Sequence, residues 1–128
     1  MRSRSIPGLR ALALALVLPS LAFLHLHLVK AEPGVDATVT EAPRQIRLWF
    51  SEPPELKLTS VTLARDDNTP VATVKMAATD DSLSLAGPVP VALQPGKYVV
   101  LWRTGSRDGH AVRGRYSFTY APPAGAGP

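Results

Sequence analysis

The chain contains no cysteine. Small exported domains often lean on disulfides, and this one has none to form. Thiolate metal sites, cysteine nucleophiles and redox pairs are excluded with them. Methionine is nearly as scarce. After Met1 only Met76 remains, so a thioether cluster for Cu(I) cannot be assembled. A Gly-x-Ser-x-Gly nucleophile elbow and a phosphate-cradling glycine loop are both missing. Carboxylates are scattered, so no glycosidase pair can be argued. Helical periodicity is not sustained beyond the first two dozen residues. A basic stripe is missing too, although the formal charge is +4. Three of the fourteen Lys/Arg (Arg2, Arg4 and Arg10) precede residue 25, leaving eleven against ten Asp/Glu, a balance of +1. Nucleic acid is therefore not an expected partner.

What is present begins with an export pattern. Met1 to Arg10 is a positively charged leader, Ala11 to Leu18 is apolar, and Leu21-Ala22-Phe23-Leu24 follows a Pro19-Ser20 break. This is the layout of a secretory signal peptide; an uncleaved N-terminal membrane anchor is the alternative reading, which the short and interrupted apolar run disfavours. Residues 1–24 are expected to be removed, which implies a periplasmic location. Two cleavage points compete. Cutting after Leu24 frees His25 but puts leucine at −1. Ser20-Leu21-Ala22 fits the small-x-small rule better and would free Phe23.

Eleven of the thirteen prolines and eight of the nine glycines lie beyond residue 24 and cut the remaining chain into short pieces. Seven of these read as strands: Leu28–Ala31, Gln45–Phe50, Ser60–Arg65, Val71–Met76, Ser82–Leu85, Lys97–Arg103 and Arg113–Tyr120. In the second, Ile46, Leu48 and Phe50 share one face and Gln45, Arg47 and Trp49 the other. Lys97–Arg103 is apolar on both faces, as a central strand would be. Tyr116, Phe118 and Tyr120 share a face. The pattern predicts an all-β antiparallel sandwich or Greek-key barrel over residues 25–121, followed by a disordered tail over 122–128.

Three histidines carry the candidate chemistry: His25, His27 and His110. A terminal His25 would offer its α-amine and Nδ1 to one metal ion, a histidine brace. His25-Leu26-His27 is also, if terminal, a third-position histidine chelate using two deprotonated amides. That mode competes with strand hydrogen bonding; in an extended strand His25 and His27 project to the same side. Asp108-Gly109-His110 reads first as a hairpin turn. Its i, i+2 spacing also lets a carboxylate and an imidazole converge, a donor set suited to Cu(II) or Zn(II).

The ordered motifs resemble the CopC-type periplasmic copper-resistance family. They run from His25-x-x-Leu28-Val29 through the turn at Pro33 and Phe50-Ser51-Glu52-Pro53. They continue with Pro95-Gly96-Lys97-Tyr98-x-Val100-x-Trp102-Arg103 and close on Ser106-x-Asp108-Gly109-His110-x-Val112-x-Gly114-x-Tyr116-Ser117-Phe118. The resemblance implies a seven-stranded Greek-key barrel or sandwich of cupredoxin-like or immunoglobulin-like shape. It implies one Cu(II) per chain, held by His25 with its amine, Asp108 and His110, with His27 a possible auxiliary. It also implies a role in copper resistance and homeostasis without catalytic turnover, with copper passed to a CopD-type transporter of the inner membrane. Some members carry a second, methionine-rich Cu(I) site, which this composition excludes. Leu24 at −1 and Trp49, where the family usually has a smaller residue, are departures. Two alternatives remain at this point: a copper-dependent oxidative enzyme using the same brace, and a metal-free β-sandwich interaction module.

Overall fold

The structure of the protein, a computed structural model, describes residues 25–125. The expected signal peptide and the last three residues of the tail lie outside them. Among the described residues there are nine strands: β1 (Leu28–Glu32), β2 (Thr38–Val39), β3 (Gln45–Phe50), β4 (Ser60–Arg65), β5 (Pro70–Val74), β6 (Ala77–Ala78), β7 (Ser84–Pro88), β8 (Gly96–Gly105) and β9 (Ala111–Tyr120). Leu56–Leu58 forms one turn of 3-10 helix. They build two sheets, one of order β1-β3-β7-β6 and one of order β2-β9-β8-β4-β5. Every pairing is antiparallel except β2 on β9. No helix among the described residues is long and apolar enough to cross a membrane.

The fold follows from period-two alternation. Ile46, Leu48 and Phe50 of β3 face Val61 and Leu63 of β4, Tyr98, Val100 and Trp102 of β8, and Tyr116 and Phe118 of β9 in one buried cluster. Tyr98 stacks on Phe118 with ring centroids 5.6 Å apart. Phe50 meets Trp102 edge to face at 5.3 Å, which ties the end of β3 to the end of β8. β8 lies between β9 and β4, the interior position its two apolar faces required. Trp49 stays on the outer face, half-buried, with Lys30 Nζ 4.5 Å and the Arg47 guanidinium 4.6 Å from its ring centre. Those cation–π contacts place the large ring without a core position.

At the end away from the site the β4–β5 turn closes with Asn68 at φ 68° and the Arg65 N–H donates to the Thr69 carbonyl at 2.8 Å, and the pairing shifts register between Leu63 and Ala64. At the other end, Gly105 pairs with Ala111, and five residues, Ser106 to His110, connect β8 to β9.

Candidate metal centre

The N-terminal arm is fixed by Leu26. Its side chain is 2% exposed and belongs to the core cluster. Alternation then leaves His25 and His27 on the outside, where both are exposed. His27 pairs with Ser51: its N–H donates to Ser51 Oγ at 3.0 Å, and the Ser51 N–H donates to its carbonyl at 2.9 Å. The His27 Nδ1–H donates to the His25 carbonyl at 3.1 Å. A third-position histidine chelate would have to break both His27 donor contacts, since it uses that backbone nitrogen and that ring nitrogen.

The segment after β3 carries this arm to the second candidate loop. The Glu55 N–H donates to the Gly105 carbonyl at 2.9 Å, and the Thr59 and Thr104 hydroxyls bond at 2.8 Å. Leu58 lies over Gly105 so closely that a Cβ there would come within 2.5 Å of Leu58 Cδ1. A side chain at position 105 would push Leu58 off β8. His25-Leu26-His27 and Ser106–His110 are thus brought to the same end of the sandwich through Ser51–Thr59.

Within the β8–β9 loop the bonding is dense. The Gly109 N–H donates to the Ser106 carbonyl at 2.9 Å, and the Ser106 N–H to the His110 carbonyl at 3.2 Å. Gly109 has φ 83°, a left-handed conformation that glycine adopts without strain. Asp108 accepts from three donors: the Ser106 hydroxyl and the His110 N–H (3.1 Å) on Oδ1, and His110 Nδ1 (2.8 Å) on Oδ2. The Ser106 hydroxyl first, then the two His110 groups, hold the Asp108 carboxyl well below the usual carboxylate range. Asp108 and His110 are exposed, so the loop presents its donors at the surface and not in a cavity.

Asp108 and His110 are therefore in direct contact, as their spacing allowed. His25 does not join them: among the described residues no group of three or more His, Cys, Asp or Glu side chains converges on a common point. In the unprocessed chain the His25 nitrogen is an amide, so one half of the expected chelate does not yet exist. Ser51 and Ser106 are not singled out by the sequence pattern. Both lie inside its motifs, but a serine's positioning role, as acceptor at Ser51 and donor at Ser106, shows only once its partner is known.

A two-sheet β domain with histidines gathered at one end, on a buried-leucine arm and a carboxylate-braced hairpin, defines the class of protein. A family model described as the CopC domain matches residues 28–121, and the chain belongs to the CopC family. Among its relatives, protein YobA of Escherichia coli (strain K12) is 35% identical over 113 residues, covering 88% of this chain and 90% of YobA. Copper resistance protein C of Xanthomonas campestris pv. juglandis is 33% identical over 122 residues, covering 91% and 95%. The crystal structure of CopC from Methylosinus trichosporium OB3b superposes with a TM-score of 0.70 at 31% identity, over 77% of this chain and 95% of that one.

Proposed function

We propose that this protein is a periplasmic copper carrier that holds one Cu(II) ion at the histidine-bearing end and passes it to a CopD-type membrane transporter without catalysing a reaction. The ligands are the His25 α-amine and Nδ1, His110 and Asp108, with His27 beside them. Family membership and the copper resistance named for its Xanthomonas relative support the metal. The observation that carries the ligand set is the His110 Nδ1···Asp108 Oδ2 separation of 2.8 Å. Adjacent donors of a square plane with bonds of about 2.0 Å stand about 2.8 Å apart, so Cu(II) can replace the proton these two atoms share. The depressed Asp108 carboxyl keeps that oxygen anionic and ready for a cation. Release of the His25 amine by processing adds the remaining chelate, on an arm already held at the same end by Leu26.

A carboxylate in the plane favours Cu(II) over Cu(I) and so opposes redox turnover. The site's exposure favours handing the ion on. The test is Cu(II) titration of the processed protein followed by paramagnetic resonance. One tightly held ion per chain is expected, with affinity lost in both the double variant His25→Ala, His27→Ala, which also removes the third-position chelate, and His110→Ala. Stoichiometry and affinity equal to the parent's in the two variants would overturn the assignment.

A further inference from the structure

The outer face of the β2-β9-β8-β4-β5 sheet carries a second feature. The ladder places Ser60, Arg103 and Arg113 in one row and Thr62, Leu101 and Arg115 in the next. These six residues line an open pocket of about 380 Å³. Arg103 and Arg113 stand directly opposite each other, an arrangement that like charges disfavour. Neither takes part in the ion pairs found among the described residues, and nor does Arg115, whose polar contact is a 2.9 Å bond to the neutral Asn68 side chain. All three arginines are exposed. Residues 25–128 are close to neutral overall, so this is a local concentration of charge and not a reflection of a basic protein.

We propose that this face is the docking surface for an acidic segment of a partner protein. Three guanidinium groups without carboxylate partners present forked donors that match Asp and Glu side chains two bonds at a time. The Ser60 and Thr62 hydroxyls add neutral donors or acceptors for a backbone, and half-buried Leu101 gives the pocket an apolar floor. An extended chain can lay carboxylates on the arginine rows and an apolar side chain on Leu101 together. The Arg103–Arg113 pair is also two ladder positions from Gly105–Ala111, the base of the metal-bearing loop. A segment seated on the arginines therefore lies beside Asp108 and His110. A role in copper delivery rests on the function proposed above; the recognition itself uses metal-free geometry and is measured separately.

The processed protein, isotope-labelled, is titrated with a short synthetic peptide alternating glutamate and alanine, with inorganic phosphate, and with phosphatidylglycerol vesicles, each at low and physiological salt. The peptide is expected to shift the amides of Leu101, Arg103, Arg113 and Arg115 and to bind more tightly than phosphate or vesicles, weakening as salt screens the contacts. The double variant Arg103→Ser, Arg113→Ser should lose at least about tenfold in peptide affinity, because one charge-assisted hydrogen bond is worth that much. Its melting temperature should not fall, since a like-charge pair is removed, and its Cu(II) affinity should stay that of the parent. Arg103→Lys, Arg113→Lys keeps the charge and loses the forks, and should fall between. Peptide binding no tighter than phosphate, preference for vesicles, shifts elsewhere on the fold, or full affinity in the serine variant would each overturn the docking surface. Copper binding is titrated separately, so loss of the metal site and loss of the docking surface are distinguishable.

Discussion

Replacing Leu26 by alanine tests the link between core and site. Leu26 is 2% exposed, so the change removes three buried carbons, worth about 2.4 kcal/mol at about 0.8 kcal/mol each before any cavity forms. Interior Leu→Ala losses reach about 5 kcal/mol where the surroundings cannot relax. Here they can. Ahead of β1 the arm is otherwise held by the two hydrogen bonds between His27 and Ser51, each worth about 1 kcal/mol net. The variant can let the arm go instead of keeping a void, which limits the global loss to about 2–3 kcal/mol. An arm that is docked only part of the time lowers apparent metal affinity in proportion, by up to about fiftyfold for 2.4 kcal/mol. Urea unfolding measures the first quantity and chelator competition for Cu(II) the second. If Leu26→Ala stays within about 0.5 kcal/mol of the parent, as surface changes do, and binds copper equally well, the anchoring argument is wrong.

Three further outcomes follow from the same contacts. In Gly114→Ala the new methyl would sit on the Trp102 indole, 2.7 Å from Cε2, and should cost about 1–3 kcal/mol with an altered near-ultraviolet tryptophan signal; an unchanged signal and stability would contradict the packing. Tyr116→Phe should leave stability unchanged or raise it by about 1 kcal/mol in denaturant unfolding, because its buried hydroxyl has no hydrogen-bond partner among the described residues and burial pushes its ionisation up; a clear loss would mean that the hydroxyl is satisfied. The Asp108 carboxyl is depressed in the folded state, so the stability it contributes is fully present above its unfolded value of about 3.9 and is lost as pH falls below it. The gap in Tm between the parent and Asp108→Asn should therefore be constant above about pH 5 and close at lower pH, and a gap that is undiminished at about pH 2 would refute the charge-based account.

The strands are legible in the sequence where alternation is clean. Gln45–Phe50 and Ser60–Arg65 have the same bounds in the pattern and in the structure, because each runs from a polar residue through inward apolar positions to a turn. The pattern starts Ser82–Leu85 two residues early: Asp81 turns the chain and Ser84 opens the strand, so a polar residue that reads as surface is buried. Thr38–Val39 and Ala77–Ala78 escape the pattern, since two residues show no period and are defined by their partners on β9 and β7. At the site, Asp108 and His110 are legible because a five-residue hairpin fixes their proximity locally. The placing of the His25 arm at the same end as that loop depends on a long-range path through Ser51 and Glu55, and the amine proposed as its ligand is one that only processing creates. No local pattern encodes either.

The most direct test is the intact mass of the exported protein, taken under conditions that keep copper bound. The account predicts a chain beginning at His25 and carrying a single copper ion. A chain beginning at Phe23 or Met1 that retains Cu(II) with the same affinity would contradict it, because the amine ligand would then be absent.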